Sequence, residues 1–399
     1  MGADTFYPLL PDEKAGGPLL SQAADLVAEC YRLTYVAGGI IAALHPLLRC
    51  MNSYYSNKIE GQHTRPADIQ RALELQFDAD LKQAQKQRLA VAHIEAEQAL
   101  EAELPSDRTD LYAPSFVQSV HAALYDRLPE SDRTTEDGQV ILPGGWRTSL
   151  VTAAGQHLAP APGRIGPLLG EWQQHYAKRP GLEQALVAAV CSHHRLLWVH
   201  PFIDGNGRTA RLHTHLLLTA LGVTHGIWSP LRGMARDQAG YHARLNNADL
   251  PRRNAVDGRG PLSQEELVAF ARWLLDVCLD QVRFMRSLLG LEQLKGRLAD
   301  LLRWLDAHPW SIGSETSVVK LEALEALHYV AISGPLERSR FTAMTGLPSR
   351  TARRVLASLL AFGILLEDSP RSPVRFAVPL ASMRFLFPKL WPEAEPTEA

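Results

Sequence analysis

Residues 196–212 read LLWVHPFIDGNGRTARL, and the Gly205-Asn206-Gly207 run stands directly before a segment with helical spacing. Two glycines permit tight backbone geometry and close approach, and a helix start presents unpaired N–H groups with the positive end of its dipole. Together they predict an anion site suited to phosphates. Arg208 and Arg211, spaced i and i+3, project from the first turn toward the same anion. Asp204 adds one carboxylate beside the phosphates, the donor that a Mg²⁺ shared with them requires. His200, four residues ahead of Asp204, is a general base suited to neutral pH.

Each feature has a plainer reading by itself: a loop for His-Pro, a turn for Asp-Gly-Asn-Gly, a solvated face for the arginines. Their joint placement at one helix start is what points to chemistry. Gly205 to Ala210 also fits a relaxed dinucleotide pattern, but that needs a βαβ unit and an acid about 20 residues on. The flanks here are helical in spacing, and IWSPLRGMAR holds no acid. Histidines 193, 194, 200, 213 and 215 include no HExxH, and His-x-His on a helix sets the rings about 200° apart, so no zinc site is expected among them. No Gly-Lys dipeptide occurs, which excludes a Walker A loop.

Outward from this stretch, residues 21–103 and most of 113–290 show helical periodicity. Thr64-Arg65-Pro66 is a helix-start signal with Asp68 in the first turn, and Pro46 is read as opening a helix through LLRCMNSYYSN. Gly222 is the expected end of the helix after the glycine turn. Residues 135–163 carry glycines, prolines and short apolar runs that fit a β-hairpin between helices. Residues 314–380 run helix, helix-turn-helix and hairpin, the order of a winged helix. Arg350, Arg353 and Arg354 fall on its second, recognition-type helix, where DNA phosphates or base edges are met, while a protein-binding or packing role fits the same pattern.

The chain has 399 residues, 46% hydrophobic and 21% charged, with a net charge of −2. That is ordinary globular composition for two or three domains, with no global basic field. The N-terminal MGADTFYPLLPDEKAGG holds no apolar stretch of signal-peptide length, no membrane span is proposed, and four scattered cysteines suggest free thiols. The expected location is the cytoplasm.

His200-Pro201-Phe202-Ile203-Asp204-Gly205-Asn206-Gly207-Arg208-Thr209-Ala210-Arg211 resembles the Fic family signature HPFx(D/E)GNGRxxR at every defined position. The resemblance implies an all-α helical bundle with a small β-hairpin flap at about 143–158. The implied activity is protein adenylylyl transfer, which moves AMP from ATP onto a Ser, Thr or Tyr hydroxyl of a target protein or of the chain itself. His200 would deprotonate the hydroxyl, and Asp204 would hold Mg²⁺, or Mn²⁺ in its place, across the phosphates. Gly205, Asn206, Gly207 and Arg208 would stabilise phosphate charge, Arg211 would grip the γ-phosphate, and Tyr241 would contact the adenine.

Ser56-Asn57-Lys58-Ile59-Glu60-Gly61 resembles the inhibitory motif (S/T)xxxE(G/N) that precedes the core in one class of the family. Glu60 would pair with Arg211 and take the place the γ-phosphate needs. The expected organisation is an N-terminal helical region (1–109) bearing this motif, a Fic domain (110–295), a winged helix-turn-helix domain (314–380) and a tail (381–399). Homodimerisation is implied by resemblance alone. The competing readings are a nucleotide-sensing DNA-binding regulator without catalysis, and a bifunctional enzyme that also removes AMP. The complete catalytic set at His200 argues for chemistry.

Overall fold

The computed structural model describes residues 5–33, 38–153 and 157–394. It is mainly helical, as the periodicity requires, and the described part of residues 21–103 holds no strand. Two compact units form: residues 1–32, 49–64 and 68–283 make the first, and residues 33–48, 65–67 and 284–399 the second.

In chain order the leading helices are α1 (Glu13–Leu33), α2 (Gly38–Ile59), α3 (Pro66–Leu73) and α4 (Leu81–Ala102). Helix α3 starts at Pro66 as its signal demands, and Asp80 caps α4 by accepting from the Gln83 N–H. Helix α2 corrects one expectation, because it begins at Gly38 and carries Pro46 inside it. Ile40 and Leu44, both fully buried, fix the turns ahead of the proline. Burial there outweighs the lost backbone hydrogen bond, a tertiary override of local propensity.

The centre of the first unit is α5 (Pro114–Tyr125), α6 (Ile165–Tyr176), α7 (Leu182–Val199) and α8 (Asn206–Ala220). Helix α7 is buried on nearly every face, and its polar run Ser192–Arg195 is buried with the apolar residues around it. Ala92 and Ala96 of α4, Val120, Leu124 and Tyr125 of α5, and Leu212 and Leu216 of α8 make one core cluster. That cluster fixes the N-terminal turn of α8 against its neighbours. Gly222, at φ +75°, follows the end of α8. Between α5 and α6 lies the expected hairpin, reduced to β1 (Thr152–Ala153) and β2 (His157–Leu158), with Thr152 paired to Leu158. Its tip, 154–156, lies outside the described residues.

Two short helices, α9 (Leu231–Arg236) and α10 (Gln238–Ala248), precede the long α11 (Gln264–Leu288). Asp257, in the Asp-Gly-Arg-Gly turn before α11, accepts from the Arg253 and Glu265 N–H groups. Gly260 takes φ +114°, where an added Cβ would stand 2.5 Å from the Tyr7 carbonyl oxygen. The buried Arg195 of α7 donates to the Pro8 carbonyl at 2.9 and 3.1 Å and to the Ala248 carbonyl at 3.1 Å. It thereby ties both the N-terminal segment and the end of α10 to the centre.

The second unit includes α12 (Leu291–Ala307), the short hairpin β3 (Ser311–Ile312) and β4 (Glu315–Thr316), α13 (Leu324–Ser333), α14 (Arg338–Met344), α15 (Ser349–Phe362), and the strands β5 (Leu365–Leu366) and β6 (Arg375–Phe376). From α13 onward the elements follow the order read from the sequence, with Leu336 bridged to Val374 beside the last hairpin. Arg350, Arg353 and Arg354 are exposed on α15, and Arg354 leans on Glu315 of β4 at 3.7 Å.

Replacing Arg195 with Met should leave the Pro8 and Ala248 carbonyls without their partner. We expect a loss of about 2–3 kcal/mol, read as a lower denaturant midpoint with an unchanged slope.

Candidate active site

The site is built where α7 ends and α8 begins. His200 closes α7 in the left-handed conformation, φ 48° and ψ 60°, and its N–H bonds the Leu196 carbonyl. The chain then turns through Phe202–Asn206. Asn206 clamps this turn twice: its Oδ1 accepts from the Phe202 N–H and its Nδ2 donates to the Phe202 carbonyl, both at 2.9 Å. The Asn206 side chain thus shapes the loop, and its Nδ2 keeps a second N–H beyond the one given to Phe202. Gly205, at φ +75°, caps α8, and an added Cβ would stand 2.5 Å from the Tyr125 hydroxyl.

The anion-facing turn of α8 is occupied by the chain itself. Glu60 Oε1, just past the end of α2, lies 2.6 Å from Arg211 Nη2. A Cβ added at Gly207 would fall 2.2 Å from that same oxygen, so the carboxylate sits directly against the helix start. Ser56 completes the contact, its Oγ accepting from Arg211 Nε at 3.1 Å and its carbonyl from Nη2 at 3.0 Å. Gln238 of α10 holds the end of α2 by donating to the Ile59 carbonyl at 2.8 Å. Gly61, at φ +71°, follows Glu60 and lets the chain turn away. Burial alone would raise the Glu60 carboxyl, but the Arg211 and Arg208 charges and the Arg211 hydrogen bond hold it below its ordinary value.

Arg208 faces the other side of the turn. Its Nη2 donates to the Tyr125 hydroxyl at 2.9 Å and to Asp204 Oδ2 at 3.2 Å, and Nη1 meets Gln62 Oε1 at 3.3 Å. Asp204 keeps 42% of its side chain exposed, and its remaining contacts are the Gly205 N–H and the Tyr125 hydroxyl. A half-open carboxylate with spare lone pairs fits an oxygen-seeking divalent cation. A cleft of about 550 Å³ opens onto Asp204 and Arg208 and is walled by Gly61, Gln62, Lys82 and Lys86. That volume is in the range of small-ligand sites. A cavity of about 600 Å³ lined by Tyr112, Tyr176 and Arg179 touches none of these residues.

Several residues that sequence reasoning missed hold this geometry. Arg147, in the segment leading into β1, donates Nε to the His200 carbonyl at 2.7 Å, Nη1 to the Ser149 carbonyl at 2.9 Å and Nη2 to the Pro160 carbonyl at 2.5 Å. His121 of α5 accepts the Gly144 N–H on Nδ1 at 2.9 Å, so its Nε2 carries the proton donated to the Asp204 carbonyl at 3.2 Å. Its ring stacks on Phe202, with centroids 3.8 Å apart. Burial pushes His121 down to about 4, which keeps it in this neutral form. His200 is pushed down to about 4 as well, by burial first and the Arg147 charge second, so it is an unprotonated base at neutral pH.

Tyr241 does not line an open adenine surface. It is 1% exposed and stacks on Trp273. Thr214 donates its hydroxyl to the Ala210 carbonyl and so accepts from His193 Nδ1, which leaves His193 Nε2 to accept the Tyr241 proton at 2.7 Å. The Tyr241 oxygen faces Arg211 from behind. It is a support of Arg211, and only the three-dimensional packing of α7, α8 and α10 reveals it.

Several known proteins are similar to this chain. Residues 112–218 match the model of the Fic/DOC family. A protein named "Protein adenylyltransferase Fic" from Nematostella vectensis is 27% identical over 198 residues, covering 49% of this chain and 42% of its own length. A protein of the same name from Drosophila mojavensis is 27% identical over 176 residues, covering 42% of this chain and 31% of its own length. The chain thus spans less than half the length of these curated relatives. The crystal structure of a Fic domain containing signaling protein from Bacteroides thetaiotaomicron has the same fold, with a TM-score of 0.50 at 16% identity over 67% of this chain and 96% of that one. The chain carries a Fic domain, with the family signature at 200–211.

The lowered Glu60 carboxyl gives a pH test of the Arg211 contact. Its stabilisation is fully present above the ordinary value of 4.5 and is lost as pH falls through the lower folded value. Thermal unfolding should therefore show wild type more stable than Glu60→Gln at pH 7, with the gap closing in the acid range below 4.5. A gap that widens on acidification would contradict the contact.

Proposed function

We propose that this chain is a protein adenylylyltransferase held inactive by its own Glu60. The observation that carries the reading is the Glu60 carboxylate seated on Arg211 and against Gly207, at a helix start suited to a phosphate. One anion cannot be there while another is. ATP can reach a productive pose only when the end of α2 gives up Arg211.

With Glu60 displaced, Arg211 binds the γ-phosphate and the N–H groups at the start of α8 face the remaining phosphate oxygens. Arg208 sits at the same turn and adds a second fixed cation. Asp204 would hold Mg²⁺, which neutralises phosphate charge when bound. His200, neutral at pH 7, takes the proton from the target hydroxyl. The freed oxygen forms its bond to the α-phosphorus, the bond to the β-phosphate oxygen breaks, and pyrophosphate leaves. Preorganised charge is the main rate-enhancing effect in such transfers. Arg147 serves positioning, because it fixes the His200 main chain to the segments flanking the hairpin. The adenylyltransferase names of the relatives support the reading, although each relative extends well beyond the matched part.

Glu60→Gly should raise self-labelling from α-labelled ATP severalfold above wild type, and mass spectrometry should find an AMP adduct. Equal labelling of the two proteins sinks the inhibitory role. Adding His200→Ala to Glu60→Gly should cut transfer by about 10²–10⁴-fold while ATP affinity changes little, since a base and not a phosphate contact is lost. The pH–rate profile of Glu60→Gly should stay flat through pH 6.5 and fall only toward the lowered His200 value of about 4.

A further inference from the structure

We propose that Glu97, Glu101 and His215, with His93 beside Glu97 as the fourth group, form a binding site for one divalent transition-metal ion of the zinc type, distinct from Asp204. His93, Glu97 and Glu101 recur every four residues and so share one face of α4. His215 reaches the same place from α8. Glu97, Glu101 and His215 can each offer one ligand atom within 4.8 Å of the others.

The separations among Glu97, Glu101 and His215 suit a coordination shell, and His93 stands beside Glu97 at its edge. His215 Nε2 lies 3.0 Å from Glu101 Oε1 and 3.5 Å from Glu97 Oε1, and His93 Nε2 lies 3.7 Å from Glu97 Oε2. Ligands at about 2.0–2.1 Å from a tetrahedral zinc stand roughly 3.3 Å apart, in the middle of these values.

A second observation points to a missing partner rather than to a closed hydrogen-bond network. His93 is 1% exposed, yet neither of its ring nitrogens has a hydrogen-bond partner, and Glu97 Oε2 has none either. These orphaned atoms face each other at a distance too long for a hydrogen bond. A buried imidazole and a buried carboxylate oxygen left this way are costly, and a cation between them satisfies both.

The outer contacts are those that orient metal-binding carboxylates. Asn52 Nδ2 donates to Glu97 Oε1 at 2.8 Å, and Arg49 reaches Glu101 Oε2 through Nε at 2.8 Å and Nη2 at 2.7 Å. Two imidazoles with two carboxylates favour zinc-type ions over Mg²⁺ or Ca²⁺, which prefer all-oxygen shells. Arg49 and Asn52 lie on α2, eleven and eight residues ahead of Glu60, and His215 lies one helical turn past Arg211. An ion here would fasten α4 to α8, with α2, which leads to Glu60, joined through the Arg49 and Asn52 contacts to the two carboxylates.

The full chain, stripped with chelator, is titrated with ZnCl₂ and separately with CoCl₂. One equivalent should bind, Zn²⁺ should raise the unfolding temperature, and Co²⁺ should give the strong visible absorption of a four-coordinate ion. His215→Gln and Glu97→Gln should each weaken binding at least 10-fold, while Asp204→Asn should leave it intact. No saturable binding by wild type, retention of full affinity in both variants, or loss in Asp204→Asn alone would overturn the site. Should a variant fail to fold by circular dichroism, the wild-type cobalt spectrum decides. A weak six-coordinate spectrum counts against the site and a four-coordinate one supports it. None of these readouts depends on nucleotide transfer, so a negative result here leaves the adenylylation reading to its own tests.

Discussion

Arg211 is a cation with 1% of its surface open to water, and it must be met by an anion in any stable state of the protein. That single requirement orders the site. Ser56 takes two of its hydrogen bonds, Tyr241 backs it from the protein interior, and Glu60 supplies the charge. Removing Glu60 does not leave a vacant pocket so much as a strongly electropositive one. Under the proposed function, the Glu60-paired state and a nucleotide-bound state would be two answers to one electrostatic demand.

The surrounding histidines show how the rest of the site is kept rigid without further charge. His121, His193 and His213 are all pushed well below the ordinary imidazole value by burial, to about 4, 3 and 4. Each then behaves as a fixed neutral donor or acceptor. His121 joins the hairpin's approach to the catalytic loop, His193 joins Thr214 to Tyr241, and His213 donates to the Leu111 carbonyl at 2.7 Å. Neutral rings in fixed tautomers add direction to the core without adding a buried ion.

The helical class, the start of α3 and the glycine turn at 204–208 were legible because each is written in neighbouring residues. Asp204, Arg208 and Arg211 do converge on one helix start, and Glu60 does meet Arg211. What escaped is what depends on distant pairing. Tyr125, Arg147 and Gln238 meet Arg208, His200 and Ile59 across more than 50 residues of sequence. Asn206 lies inside the motif, yet its amide turns back onto Phe202, a choice that only closed-loop geometry reveals. Pro46 was read as a start because its ring favours one, and buried Ile40 and Leu44 extended the helix through it. The hairpin β3–β4 has two residues per strand, too few to show any alternation.

Arg147 binds the main chain of His200, Ser149 and Pro160 with one planar group. None of these bonds involves a side chain of the residues it grips. The spacing between the base and the hairpin is therefore indifferent to what decorates the hairpin's outer surface, where Leu150 and Leu158 stand largely in solvent. Such an arrangement separates the outward face of the hairpin from the placement of the imidazole. The outward residues can be rewritten freely, and the imidazole stays where it was.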